Sequence, residues 1–290
     1  MAIAPKARGK ASAKILCWLA SYPKSGNTWL RAFLANYLLD REAPLAPNQL
    51  AAVTQGDALA AHYTRLARAK GLDPLTREAD ALALRQEVLT RLGSQGGGAL
   101  TLIKTHNANQ TLAARAMIPA PLTRVALYVV RDPLDMLLSY ADHYATDTET
   151  AAKAIASAHN RILAGNGNVT QYLGRWSEHV LGWSETRAFP VLVLRYEDML
   201  SAPHTTFAKA LTKLGVPLDE ARLDKAVRFS SFETLSAQES TEGFIERSPH
   251  SARFFRSGRA GEGRERLPAD LIARIEAEQA PAMRRFGYLP

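Results

Sequence analysis

The stretch Ser21-Tyr22-Pro23-Lys24-Ser25-Gly26-Asn27-Thr28-Trp29 decides how this chain is read. An apolar run at 15–20 leads straight into it, and an amphipathic run at 30–39 leads out. That succession predicts a buried strand, a tight loop and a helix. The first N–H groups of a helix have no intrahelical partner, and the macrodipole is positive there. A lysine, a glycine and hydroxyl side chains at such a point make a phosphate or sulfate site.

Working outward, three more short apolar runs, at 99–103, 125–130 and 191–194, lack polar alternation. Strands buried on both faces of a parallel sheet have that pattern. Helical patterns cover 28–39, 76–92, 133–144, 148–163, 169–184, 204–214, 219–229 and 268 to about 283. The alternation predicts an α/β fold: a P-loop-type open parallel sheet of about four to five strands flanked by helices. One domain over 1–290 is expected. It has a ragged tail at 1–13, a helical insertion with no clear strand at 40–98, and an aperiodic lid loop at 236–267. That loop carries the arginines Arg247, Arg253, Arg256, Arg259, Arg264 and Arg266. The segments 48–92 and 146–168 are expected to shape a substrate pocket.

Ligands of open parallel sheets bind beyond the carboxyl ends of the strands. Here those ends carry Lys24, then Lys104-Thr105-His106, then Arg131-Asp132, then Arg195-Tyr196-Glu197-Asp198. The net charge of +8 favours an anionic ligand. Charge alone would also admit a basic nucleic-acid-binding protein, but no basic recognition helix or stacking platform is evident. A nucleotide kinase or NTPase would show Gly-x-x-x-x-Gly-Lys-Ser/Thr and a metal-holding aspartate. In this chain the lysine precedes the glycine, and Asp132 followed by Pro133 reads as a helix N-cap. A single cysteine, Cys17, rules out an intramolecular disulfide and suggests a reduced, cytoplasmic setting. No apolar run is long enough for a transmembrane segment.

Four segments resemble the sulfotransferases that use 3′-phosphoadenosine 5′-phosphosulfate (PAPS). Residues 22–29 are similar to the family's 5′-phosphosulfate loop. Tyr128-Val129-Val130-Arg131-Asp132-Pro133, with Ser139 beyond it, is similar to the 3′-phosphate segment. Lys104-Thr105-His106 matches the strand end that carries the catalytic histidine. Phe254-Phe255-Arg256-Ser257-Gly258-Arg259-Ala260-Gly261 resembles the loop that closes over the nucleotide. The resemblance implies PAPS as co-substrate, 3′-phosphoadenosine 5′-phosphate (PAP) as product and no required metal. The acceptor it implies is a hydroxyl or amine on a small molecule, lipid or glycoside.

The resemblance also implies roles. His106 would be the general base, Lys24 would meet the bridging oxygen, and Lys104 would approach the sulfuryl group. Ser25, Gly26, Asn27 and Thr28 would hold the 5′-phosphate, with Trp29 stacked on adenine. Arg131, Ser139, Arg256, Ser257 and Gly258 would hold the 3′-phosphate. Tyr196, Ser230 and Phe232 would lie near the base. Asn27 stands where the family often has threonine, and Ser257 where it often has lysine. The dimer segment of the animal members is not recognisable. Met136, Tyr140 and Tyr144 have helical spacing and read as core.

Overall fold

The computed structural model describes residues 15–95 and 100–290; the expected tail and the glycines Gly96 to Gly98 lie outside them. Strand β1 is Leu16–Ser21, β2 Thr54–Gly56, β3 Thr101–Thr105, β4 Thr123–Val130 and β5 Val191–Arg195. They form one five-stranded sheet in the order β2-β3-β1-β4-β5. Every neighbouring pair is parallel.

The side chains of β1 show why this strand lies at the centre. Leu16, Trp18 and Ala20 enter one apolar core, while Cys17 and Leu19 enter another on the opposite face. Alternate residues of a strand point to opposite faces, so an unbroken apolar run requires both faces to be covered. Helices α1 (Asn27–Leu39), α7 (Tyr196–Ser201), α8 (Pro203–Leu214) and α9 (Glu220–Phe229) cover one face. The other is covered by α2 (Ala60–Arg68), α3 (Glu78–Gln95), α4 (Pro133–His143), α5 (Thr148–Ile155), α6 (Trp176–Ser184) and α12 (Ala269–Arg285). Among the described residues no helix is long and apolar enough to cross a membrane.

The expected N-cap of α4 is present. The Asp132 carboxylate accepts from Leu134 N at 2.9 Å, and Pro133 is the first helical residue. Two expected helices are shorter than the pattern suggested. The first ends at Ile155 and the second begins at Trp176. Between them Arg161–Ile162 pairs with Gln171–Tyr172 as a small antiparallel ribbon. Below it the chain turns at Asn166 (φ 46°) and Gly167 (φ 74°). Gly165 and Asn168 exchange backbone hydrogen bonds of 3.0 and 2.9 Å across that turn. Two consecutive positive φ angles are what a tight hairpin needs, and Asn-Gly supplies them cheaply.

The 40–98 insertion contains β2, a three-residue edge strand without an apolar run. The expected aperiodic lid is entered by α10 (Phe232–Glu242) and left by α11 (Glu262–Arg266).

A buried carboxylate fixes the end of β3. Asp57 Oδ2 accepts from Arg85 Nη2 at 2.6 Å, Thr105 Oγ1 at 2.8 Å and Asn107 Nδ2 at 3.0 Å. Asp57 is 1% exposed and Arg85 4%, so removing one partner strands a buried charge. Asp57→Ala is expected to destabilise the fold by about 3–5 kcal/mol, measured by urea unfolding. A loss of under about 1 kcal/mol would show that Arg85 finds another partner.

Candidate active site

A cavity of about 1110 Å³ opens at the carboxyl edge of the sheet. Every site residue named from sequence lines it except Ser25 and Ser230. The segments 48–92 and 146–168 contribute its outer wall.

The loop after β1 is built around two left-handed residues, Lys24 at φ 66° and Gly26 at φ 104°. A Cβ on Gly26 would lie 2.7 Å from Tyr196 Cδ2. Glycine is therefore required twice over, by conformation and by the ring behind it. The first intrahelical bond of α1 runs from Leu30 N to Gly26 O at 3.2 Å. The N–H groups of Asn27, Thr28 and Trp29 precede it and are available to an anion. Asn27 Nδ2 donates back to Leu19 O at 2.9 Å and pins the loop to β1. Ser25 is 1% exposed, and its Oγ is buried without a hydrogen-bond partner.

Cations crowd this edge. Lys24 Nζ lies 3.7 Å from the centroid of the Phe254 ring. Desolvation lowers its pKa to about 8, against the pull of Asp142 and Glu246. Arg131, 6% exposed, stacks 4.2 Å above the Tyr196 ring and donates to Arg259 O at 3.0 Å. Arg256 Nη2 and Ser257 Oγ both donate to Glu262 Oε2, at 2.8 and 2.5 Å. The Nε atoms of Arg131 and Arg256 are buried without partners. The Asp135 carboxylate on α4 accepts from Gly261 N and Gly263 N at 2.8 and 2.7 Å, so the stem of the lid is fixed.

His106 sits just beyond β3. Its Nδ1 lies 2.9 Å from Ser21 O. A carbonyl only accepts, so Nδ1 carries the hydrogen and Nε2 keeps its lone pair. Desolvation, then the nearby Lys104 ammonium, lower its pKa to about 3. Its backbone carbonyl accepts from His179 Nε2 at 3.1 Å, and His179 Nδ1 accepts from Tyr128 Oη at 2.8 Å.

Trp29 packs edge-on to Tyr196 and Phe207, with centroids 5.6 and 5.8 Å away. Phe232 reaches the wall but Ser230 does not. Ser230 is fully buried, and its hydroxyl bonds back to Ala226 O at 2.8 Å at the end of α9. Met136 and Tyr140 are buried as expected, whereas Tyr144 lines the cavity. Sequence reasoning gave no role to Glu246, Arg31 or His143. None has a spacing that marks it, because each meets the site from a different element.

The family model described as "Sulfotransferase domain" matches residues 15–287. The chain belongs to the sulfotransferase family. Rat Sulfotransferase 1C2 is 26% identical over 220 residues, 75% of this chain and 64% of that protein. Mouse sulfotransferase SULT7A1 complexed with PAP aligns over 94% of this chain and 86% of its own, at 18% identity and TM-score 0.57. Retinol dehydratase in a complex with retinol and PAP aligns over 92% and 81%, at 18% identity and TM-score 0.61. At such identities these structures attest the fold of this family member.

Two measurements probe the geometry. Gly26→Ala is expected to destabilise the fold by about 1–3 kcal/mol in urea unfolding, since the loop must shift away from Tyr196. Affinity for inorganic sulfate, whose own charge is constant in this range, is expected to fall as pH rises through about 8, because the unliganded Lys24 loses its proton there. Affinity that stays flat between pH 7 and 9 would take Lys24 out of the anion site.

Proposed function

We propose that this sulfotransferase moves a sulfuryl group from PAPS to a hydroxyl of a small acceptor carrying an apolar portion. The observation that carries the reading is the meeting of three groups in one cavity: an anion-binding helix start, a clamp of arginines and a neutral imidazole. The unpartnered buried Nε atoms of Arg131 and Arg256 and the unpartnered Ser25 Oγ fit a doubly phosphorylated nucleotide. When bound, PAPS supplies an activated sulfuryl group, and its transfer leaves PAP.

The chain's own residues do the rest. Backbone N–H groups of the 25–28 loop and the Thr28 hydroxyl bind the 5′-phosphate. Arg131, Ser139, Arg256, Ser257 and the backbone of Gly258 bind the 3′-phosphate. Trp29, Tyr196 and Phe232 form the walls against adenine. Lys24 neutralises charge developing on the departing phosphate oxygen, an electrostatic contribution. His106 Nε2 takes the acceptor's hydroxyl proton. A pKa of about 3 makes the imidazole a weak base but keeps it unprotonated at every working pH. It receives the proton late, when the forming oxygen–sulfur bond has made the hydroxyl acidic.

The outer wall argues for an apolar acceptor. Leu59, Leu163 and Ile245, at 38%, 63% and 86% exposure, all line this one cavity. They come from three segments that are tied together. Gly167 O accepts from Ala60 N at 2.8 Å, and Ile245 N donates to Asn48 Oδ1 at 2.9 Å. Clustered exposed apolar side chains at a cavity rim mark a binding groove.

His106→Ala is expected to lower turnover by about 10² to 10⁴, and Lys24→Ala by about 10² to 10³, at saturating PAPS. Near-wild-type turnover in either would remove that residue's role. The acid limb of kcat/KM is expected far below pH 6.5, because His106 stays neutral until about pH 3. A limb near 6.5 would mean that another group accepts the proton. PAP at 100-fold its Kd is expected to stabilise the protein by about 2.7 kcal/mol in thermal unfolding, with little effect from ATP and magnesium. The reverse pattern would favour an NTP-dependent enzyme. Mass detection of an added sulfonate across alcohols, phenols, amines and sugars identifies the acceptor.

A further inference from the structure

Glu246 lies in the segment that joins α10 to the nucleotide clamp, inside the cavity. Its Oε1 is 2.7 Å from Arg31 Nη1, and its Oε2 is 2.9 Å from Lys104 Nζ. Arg31 is itself fixed: its Nε donates to Thr54 Oγ1 at 3.0 Å, which donates to Leu50 O at 3.1 Å. One carboxylate oxygen is thus held by a buried, immobile guanidinium, and the other is aimed at the lysine that shares the cavity wall with His106.

We propose that Glu246 is a positioning residue: anchored by Arg31, it holds the Lys104 ammonium charged and in place at the sulfuryl end of the site. The role rests on the sulfuryl-transfer reading above.

The segment does not need this carboxylate to stay folded. Asn48 already holds its backbone, with Nδ2 to Gly243 O at 3.2 Å and Oδ1 from Ile245 N at 2.9 Å. Farther along, the Glu239 carboxylate accepts from Phe254 N and Phe255 N at 2.6 and 2.9 Å. If Glu246 only closed the loop, the Arg31 bridge would suffice, and nothing would call for the bond to Lys104.

The charges around Lys104 give the bond its purpose. Arg31 from α1, Lys24 from the loop after β1, and His106 and His143 in the cavity wall offer no negative charge. Asp57 is committed to Arg85, Thr105 and Asn107. Desolvation lowers the Lys104 pKa, Arg31 lowers it further, and Glu246 is the main opposing influence. Without Glu246, Lys104 would shed its proton at lower pH and lose its fixed direction.

The test is an NMR titration of protein labelled with ¹³C-lysine, with the Lys104 ε-carbon assigned through Lys104→Arg. In Glu246→Gln the Lys104 midpoint is expected to move to lower pH, while Glu246→Asp retains part of the wild-type value. Turnover of Glu246→Gln at neutral pH is expected to fall by about 10²-fold, the loss that accompanies displacing a reacting group by an ångström. The alkaline limb of kcat is expected to move down in pH alongside. An unchanged Lys104 midpoint in folded Glu246→Gln overturns the proposal. Should that variant fail to fold, an unchanged midpoint in Glu246→Asp does the same. The titration needs no sulfuryl transfer. A shifted midpoint in a protein inactive with PAPS would therefore uphold the positioning role and remove the functional reading.

Discussion

A sheet covered by helices on both faces leaves only its strand ends for chemistry. That constraint organises this member of the sulfotransferase family. β1 is apolar on both sides because both are buried, and the first polar loop it can support is at its carboxyl end. There α1 begins, and its unbonded N–H groups face the same edge. β3 and β4 flank β1 in parallel, so His106 and Arg131 emerge beside Lys24 although they are distant in sequence. Parallel pairing, rather than any motif by itself, converts separate strand ends into one site.

Gathering cations at one edge is costly unless each is held or answered. The protein answers them with carboxylates from the outer layers. Glu246 faces Arg31 and Lys104, Glu262 faces Arg256, and Asp57 faces Arg85. Lys24 instead lies over the Phe254 ring, and desolvation lowers its pKa. The same desolvation keeps His106 neutral. A histidine with an ordinary pKa would be partly protonated near neutrality, and that fraction would have no free lone pair. Here the field that prepares the anion site also preserves the lone pair on Nε2.

What was legible in sequence follows this division. The strand–loop–helix and the polar ends of β3, β4 and β5 are local signals, and the structure brings Lys24, Lys104, His106, Arg131 and Tyr196 from them to one cavity. Other features were not read from sequence, for separate reasons. β2 is an edge strand of Thr54-Gln55-Gly56 with no apolar run, so its pairing to β3 comes from tertiary context. The Asn166-Gly167 turn did carry a sequence signal, but the alanine-rich helical pattern before it masked the hairpin. Ser230 was assigned on a motif, yet its hydroxyl is consumed by the last turn of α9. This is a common fate for a serine at a helix end. Glu246 and Arg31 had no signal at all, since a contact across 215 positions leaves no periodicity.

The lid shows how anchoring and access coexist. Its stem is fixed by Asp135 at Gly261 and Gly263, and a Cβ on Gly263 would come within 2.4 Å of the Leu134 carbonyl carbon. Its far end is fixed by Glu239 at Phe254 and Phe255. Between those holds, Arg256 and Ser257 bond to a single carboxylate oxygen of Glu262. A phosphate beside them would compete with that carboxylate for the same donors, both acceptors being charged. On the reading proposed above, these two side chains would turn to the nucleotide while the backbone that carries them stays pinned at both ends. A ligand reaching from the start of α1 to this stretch would engage both, since both line the one cavity.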